Sequence, residues 1–490
     1  MMGSMPIRIA ASITAAAATV VLLAVVVGVW ATASLIMASA TVAVAVAPLA
    51  RRLLEARFDL LEPIVGGAVM LAVLFGIRPI AMLIAGDFVY RGVDITQGFP
   101  WAVALGLVGT ASFVALYEWV RLRYLDTSPR VSAAARPFDR RVAYGWVATL
   151  AVLSVGLFGF HLSRLGSDLF DGIRLLVNGA SPELVTRWAH TSEYLSTSPI
   201  LAACAATVLG LAAGWRLTRV QLLLLLVLIA YPEVVFYLSG ARRYMLPTLL
   251  VPLVTWMLMS GRRPGARLLL VVIPVAFLVL ATIPFVRWVG TRDHGGAAAP
   301  LFEAVANPAR AVHRFVLGPD TNMVPALAIE VSVLRSPVDF FYGRATFGDL
   351  LLAPIPHLIF PDKPQTARDE LLTRVFGAPC QVSTGGVCDD FSIIGTFYQD
   401  FWLPGVIVLM GVVGAASAAL WSRWRNAQEH NGLLIAVATW AVFVPIIFRA
   451  GFMPGFQWWL YFLLPCLLGV WLASRPGKRA EVVQGPSLPK

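Results

Sequence analysis

The chain has 490 residues, of which 58% are hydrophobic and only 13% are charged, and its mean hydropathy is +0.77. A soluble domain carries about 25% charged residues, so this composition excludes a fold that hides its apolar surface from water. The formal net charge of +11 comes mainly from arginines in short segments between apolar runs. That pattern indicates retention of positive charge in the cytoplasm rather than a nucleic-acid site. We therefore predict an all-α polytopic membrane protein that lies in the lipid bilayer and binds no nucleic acid.

Twelve apolar runs are long enough to cross the hydrocarbon as helices, which takes about 20 residues each. They lie near residues 9–28, 31–49, 60–84, 99–120, 142–161, 198–215, 219–238, 244–260, 267–287, 402–421, 432–450 and 453–473. The first run resembles a signal peptide because Arg8 precedes it, but a second run follows at once, which favours an uncleaved anchor.

Arginines follow every even-numbered run, for example Arg51 and Arg52 after the second and Arg423 after the tenth. Because short cytoplasmic loops retain Arg and Lys, both termini are predicted to be cytoplasmic. The large loop between helices 9 and 10 is then extracytoplasmic. The predicted division is transmembrane helices 1–9 in residues 1–287, an extracytoplasmic loop domain in 288–401, transmembrane helices 10–12 in 402–473 and a cytoplasmic tail in 474–490.

The four cysteines agree with this orientation. Cys380 and Cys388 fall in the outer loop with a glycine-containing turn between them, and an oxidising compartment favours a short-loop disulfide there. The alternative is two free thiols. Cys204 and Cys466 fall within apolar runs and are predicted to be small core residues.

Several arginines run against the positive-inside bias. Arg242 and Arg243 occupy a tight turn before the eighth run, where the free backbone N–H groups of a helix start add to two guanidinium groups. Arg78, Arg287 and Arg449 also map to the outer ends of runs. Charge beside the hydrocarbon is costly and indicates function, in outline a phosphate site. The alternative for any one arginine is a side chain that reaches lipid headgroups.

Three stretches in the second half of the chain resemble those of Wzy-type (O-antigen polymerase-like) enzymes, the oligosaccharide repeat-unit polymerases of bacterial surface polysaccharides. They are residues 341–343, 355–364 and 392–405. Two features differ from the family pattern, because Tyr342 and Gly343 are adjacent and His357 stands where many relatives have an arginine.

The resemblance implies an extracytoplasmic glycosyltransferase in the bacterial cytoplasmic membrane that polymerises polyprenyl-diphosphate-linked oligosaccharide repeat units into a cell-surface polysaccharide. An active site that faces outward has no nucleotide sugars, which requires a lipid-linked donor. The resemblance also implies a flippase and a chain-length regulator as partners. Since the sequence has no obvious metal-ligand cluster, we predict no required metal and no cofactor.

A diphosphate leaving group needs cations that stabilise the charge developing as the anomeric C–O bond breaks, and arginine binds phosphate with paired hydrogen bonds. The residues predicted for this role are Arg78, Arg242, Arg243, Arg287, Lys363 and Arg449. The acceptor hydroxyl also needs a base, for which His357, Asp389 and Asp390 are the candidates. The alternative for the two aspartates is the start of a helix, and for His357 a structural hydrogen bond.

Other functions fit the same features less well. A ligase that transfers a lipid-linked glycan shares the late outer loop and the outer arginines, and product length separates it from a polymerase. A lipid-linked saccharide transporter or flippase usually places ionisable residues near the bilayer midplane, whereas the charges here gather at outer ends. An enzyme of the dolichyl-phosphate-mannose type needs acids in its first outer loop, which is too short here. Ser392 has no positioned histidine partner in the sequence, so a hydrolase triad is only a weak alternative.

Overall fold

A computed structural model describes residues 30–55, 58–127, 138–165, 182–214, 217–238, 242–261, 316–318, 321–334, 339–352, 355, 360, 364–376, 391–426 and 431–475, together with Thr19. Helices make up most of this part of the chain. They are α1 Trp30–Leu54, α2 Pro63–Ala85, α3 Phe99–Thr127, α4 Arg140–Leu165, α5 Pro182–Ala213, α6 Arg219–Leu238, α7 Arg242–Ser260, α8 Met323–Val333, α9 Asp349–Leu352, α10 Ala367–Phe376, α11 Ile393–Asn426, α12 Asn431–Ala450 and α13 Phe452–Ala473. Strands β1 Val89–Tyr90 and β2 Val93–Asp94 form an antiparallel hairpin between α2 and α3.

The apolar runs of the sequence fold as helices. Eight described helices are long and apolar enough to cross a membrane: α1, α2, α3, α4, α6, α11, α12 and α13. The predicted runs at 198–215 and 244–260 correspond to the shorter apolar segments Thr197–Ala213 and Met245–Ser260. The runs at 9–28 and 267–287 lie outside the described residues. The chain is thus an α-helical membrane protein, while the count of twelve spans stays a prediction.

Helix α3 lies at the centre of the bundle. Most of its apolar stretch is buried, 78% against 22% for that of α4, and it packs against α1, α8 and α11. A glycine of α11 allows this contact, since the backbone of Phe113 lies against Gly414. The predicted character of Cys204 and Cys466 is confirmed, because both are buried, free and packed together between α5 and α13.

Regular helix is interrupted just before Arg78 and just before α9. A π-helical turn, Val73–Ile77, lies within α2 and leads into Arg78. A second, Arg344–Gly348, leads into α9. Such turns shift the faces that follow them and occur often at functional sites.

The predicted outer loop contains a helix, α8, that was not predicted from the sequence. Helix α8 is apolar and buried along most of its length, and it packs against α3, α11 and the π-helical turn of α2. At its closest approach the Ala328 carbonyl oxygen lies where a Cβ on Gly98 would stand. Part of this loop therefore belongs to the helical core at the end of the bundle where α2 ends and α3 begins, called here the α2–α3 end.

Candidate functional site

Two sequence stretches that are distant along the chain, 341–349 and 392–405, meet at the start of α11. The backbone N–H of Phe341 donates a hydrogen bond to the Gln399 carbonyl oxygen at 2.9 Å. Gly343 has a φ of +91°, and a Cβ at this position would lie 3.2 Å from the Phe401 ring. The two stretches therefore form one packed unit.

The carboxylate of Asp400 holds the two stretches together through hydrogen bonds. Asp400 is fully buried and accepts hydrogen bonds from the backbone N–H groups of Ala345 at 3.0 Å and Thr346 at 2.6 Å. The first N–H groups of a helical turn have no partner inside the turn, so an acceptor outside it stabilises the turn. Asp400 thereby caps the π-helical turn Arg344–Gly348 from α11.

The backbone is strained beside this contact. Helix α11 is kinked at Phe401 and Trp402, where Trp402 has φ 56° and ψ −150°. Within the described ranges only Arg91, Tyr342 and Trp402 have positive φ without being glycine. Such conformations cost about 1–3 kcal/mol each and cluster at ligand sites. Each of the three lines one of the two cavities described next.

The larger cavity, called here the aromatic groove, has a volume of about 970 Å³ and lies between α3, α8 and the kink of α11. Aromatic side chains line the groove, among them Trp101, Tyr398 and Trp402. Leu105 and Val108 of α3 line it as well. Trp101 and Trp402 are 62% and 56% exposed, so the groove is open on one side.

Charged side chains connect the loop beside the groove to α10. Arg344 donates to the Glu370 carboxylate at 2.6 Å, and Arg374 donates to the other oxygen of the same carboxylate at 2.6 Å. Both guanidinium groups also lie over the Phe341 ring, at 5.9 Å and 5.2 Å from its centroid. Burial raises the pKa of Glu370, but the two arginines lower it further and hold it below its usual range. These cations are thus engaged with α10.

Asp349 joins the loop to α10 as well. Its carboxylate accepts the backbone N–H of Ala367 at 2.7 Å and so caps the start of α10. Burial raises the pKa of Asp349 to about 6, although the Ala367 N–H and the Arg344 charge oppose the shift. The loop therefore contains an acid that titrates near neutral pH.

The smaller cavity, called here the Arg78 cleft, has a volume of about 320 Å³ and lies between the end of α2, the β-hairpin and the start of α8. Arg78 is 4% exposed, and its Nη1 donates to the Val316 carbonyl oxygen. Its Nε has no hydrogen-bond partner within the described part of the chain. Arg91 and Asn322 line the same cleft together with Asp87. Two arginines, an amide and the Asp87 carboxylate thus surround a space large enough for a phosphate group.

A buried acid lies between the two cavities. Glu330 of α8 is completely buried, and its carboxylate lies directly against the backbone of Gly395 in α11. Gln399 faces it, yet among the described residues neither carboxylate oxygen of Glu330 nor the Nε2 of Gln399 has a hydrogen-bond partner of good geometry. This region contrasts with ordinary protein interiors, where buried polar groups are paired.

Most of the predicted site residues fall outside the described ranges. These are His357, Asp389 and Asp390, the cations Arg287 and Lys363, and the cysteine pair Cys380 and Cys388. Arg242 and Arg243 begin α7, as predicted from the turn before the eighth run, but their side chains are not among those described. Their roles stay predictions.

Two further predicted positions can be placed. Arg449 lies in the last turn of α12, two residues before Gly451, whose backbone packs against Phe391 and Thr396 at the start of α11. Ser392 accepts the Gly395 backbone N–H on its Oγ at 3.0 Å, which is the geometry of a helix N-cap. A capping role therefore explains Ser392 without a hydrolase triad.

Sequence reasoning missed Asp400, Glu330, Arg91 and Asn322 as site residues. The first two had a detectable signal, since an acid within an apolar helix is costly and has a functional or structural partner by default. Arg91 and Asn322 had none, because their proximity to Arg78 depends on how the hairpin and α8 fold onto α2.

The fold and these cavities define a class, a polytopic α-helical membrane protein with an aromatic groove and an arginine-containing cleft at one end. No protein-family model, curated protein or solved structure matches the chain.

Proposed function

We propose that the protein is a bacterial membrane glycosyltransferase that polymerises polyprenyl-diphosphate-linked oligosaccharide units on the outer side of the cytoplasmic membrane. The observation that carries the proposal is the contact between 341–349 and 392–405. Both stretches contribute to the resemblance with repeat-unit polymerases, and they pack on each other beside a cavity large enough for an extended ligand. Packing of two separate motifs into one unit is expected if they serve one site.

The charges at the α2–α3 end support a diphosphate as the bound group. Arg78 donates to the Val316 carbonyl oxygen, and its Nε has no hydrogen-bond partner among the residues that the structure describes. Arg449 lies at the same end, beside the turn that contacts α11. Cations in a water-poor site stabilise a leaving diphosphate more than the intact donor, which lowers the barrier to glycosyl transfer.

In the proposed reaction the anomeric carbon of the donor loses its polyprenyl diphosphate and forms a bond to an acceptor hydroxyl. Arg242, Arg243, Arg287, Arg449, Lys363 and Arg78 are the proposed diphosphate-binding cations. A base takes the proton of the acceptor hydroxyl, and His357, Asp389 and Asp390 are the proposed candidates.

Orientation can be measured directly. Starting from a cysteine-free variant, single cysteines at Leu54 (88% exposed, end of α1) and Leu351 (76% exposed, α9) are treated in intact cells with a membrane-impermeant thiol reagent. We expect labelling at residue 351 and none at 54 until the cells are opened. Labelling of the cysteine at residue 54 alone in intact cells would contradict the proposed topology.

Activity is tested with purified protein in liposomes that contain a polyprenyl-diphosphate-linked oligosaccharide. We expect a ladder of products on gels, and we expect Arg242→Ala and Arg243→Ala to abolish it. The matched control is Arg51→Ala, since Arg51 is exposed, pairs with neighbouring Glu55 and lies at the opposite end. A single transfer without a ladder indicates a ligase, and movement of the lipid without transfer indicates a transporter. Either result would overturn the polymerase.

A further inference from the structure

The aromatic groove is mainly apolar along α3 and more polar beside the loop that contains Tyr342. Trp101, Leu105 and Val108 follow one another at helical spacing along α3. Val108 is nine residues into a helix that begins at Phe99, which places it about 14 Å along the helix axis. Hydrocarbon is about 30 Å thick, so the groove extends to membrane depth.

The polar groups that line the groove are few. Gln97 precedes α3, Ser332 lies near the end of α8, and Tyr342 lies on the loop. Tyr398 and Asp400 belong to the first, loop-bonded part of α11. The carboxylate of Asp400 is already engaged with backbone N–H groups, so it does not need a cation from the ligand. A ligand that fits has an extended apolar part and a polar part at one end only. A free sugar lacks the apolar part.

The groove is also continuous with the lipid-facing surface. Pro404 lines the groove, and Val408 and Val412 follow it at intervals of one helical turn on α11. Both valines are more than half exposed, at 59% and 55%. A chain dissolved in the bilayer can therefore enter the groove sideways without crossing water.

We infer that the aromatic groove holds the polyprenyl chain of the lipid-linked substrate, with the polar end of that lipid at the level of Tyr342. The inference rests on the proposed function, and it adds which part of the protein selects the lipid. Tyr342 and Trp402, the two lining residues with positive φ, are at this end of the groove.

The test uses the full-length protein in phosphatidylcholine nanodiscs with a polyprenyl phosphate that carries a photoreactive group on an isoprene unit close to the phosphate. We expect crosslinks on 101–108 of α3 and on 402–404 of α11, and competition by unlabelled polyprenyl phosphate. Val108→Trp fills the groove and should lower crosslinking about tenfold. Val152→Trp adds the same bulk to the exposed face of α4, where Val152 is 71% exposed, and should leave crosslinking unchanged.

Two results would overturn the inference. One is crosslinking spread evenly over the lipid-facing helices. The other is labelling of the groove by a photoreactive phospholipid that excess polyprenyl phosphate does not reduce, since the groove is then ordinary bilayer surface. If Val108→Trp does not fold, Trp101→Ala removes one wall of the groove without adding bulk and is expected to weaken labelling. Because the assay contains no sugar, a chain that binds the lipid but makes no polymer separates failure of the proposed function from failure of this inference.

Discussion

The two ends of the helical bundle differ in whether buried charged side chains have partners among the described residues. Where α1 ends and α2 begins, five side chains form a closed cluster, called here the ion cluster. Its members are Arg52, Glu62, Tyr117, Glu118 and Arg121. Two arginines meet two glutamates, and Arg52 contacts both glutamates and also donates to the Pro48 carbonyl oxygen at 2.9 Å. All of these side chains are nearly inaccessible to solvent.

At the α2–α3 end, by contrast, Arg78 has an unused Nε and Glu330 has unpaired oxygens within the described part of the chain. Burial of a charge is costly unless partners compensate it. The compensated cluster is explained by stability alone, whereas the uncompensated groups require another reason to persist. Function at the α2–α3 end supplies such a reason, and the following predictions test the contrast.

The largest effect is expected at the ion cluster. Arg52→Ala leaves the buried carboxylates of Glu62 and Glu118 with Arg121 as their only cation in the cluster, and loss of one member of a buried pair costs about 3–5 kcal/mol. Arg51→Ala is the matched control, since Arg51 is 47% exposed and a surface pair contributes about 0–1 kcal/mol. Unfolding in detergent measured by circular dichroism separates the two. Equal midpoints for both variants would contradict a stabilising role of the cluster.

The next effect depends on pH and lies at the loop. The pKa of Asp349 rises from 3.8 to about 6 in the folded protein, which corresponds to about 3 kcal/mol. Because the charged form is disfavoured by folding, stability is highest below pH 4 for this group and is lost as pH rises through 6. Asp349→Asn keeps an acceptor for Ala367 and should flatten this decline in thermal unfolding between pH 4 and 7.

Asp94 provides the control with the opposite sign. Hydrogen bonds from Thr96 lower the pKa of this exposed carboxylate. Asp94→Asn therefore should not flatten the decline. A profile of Asp349→Asn that follows the parent protein would show that Asp349 is not the titrating group.

A loss of stability similar to that at Asp349, together with a large loss of activity, is expected at Asp400. Asp400→Ala leaves the buried N–H groups of Ala345 and Thr346 without an acceptor, at about 1–3 kcal/mol for each group. Asp400→Asn retains one acceptor oxygen and should lose less. Polymer length on gels and the unfolding midpoint are both measured for each variant. An Asp400→Ala chain that makes polymer of normal length would remove the loop contact from the site.

The smallest effect is expected at the kink. Trp402 has a backbone conformation that is essentially restricted to glycine. Trp402→Gly should relieve strain and change stability by no more than about 1 kcal/mol, since lost ring contacts offset the gain, while lipid crosslinking in the groove falls. Trp471→Gly is the control, because Trp471 is 52% exposed within regular helix α13 and gains nothing from glycine. Equal loss of stability in both variants would show that the kink is not strained.

Much of the fold follows from local properties of the sequence. Runs of apolar residues with arginines beside them predicted ten of the described helices, because in lipid the backbone must bond within each segment. The start of α7 at Arg242 and the core character of Cys204 and Cys466 follow from the local sequence in the same way. These features depend on a residue and its neighbours in the chain.

The contacts that form the candidate site depend on distant segments. Nothing near Asp400 in the sequence indicates that its partners are Ala345 and Thr346, and nothing near Arg52 indicates that it meets Glu118. An arginine after an apolar run has the same sequence signature whether it faces water or a carboxylate. The sequence by itself determined that the chain crosses the membrane as helices, since hydropathy is a local quantity. Only the tertiary structure decided which charges are compensated, because compensation depends on how separate helices pack.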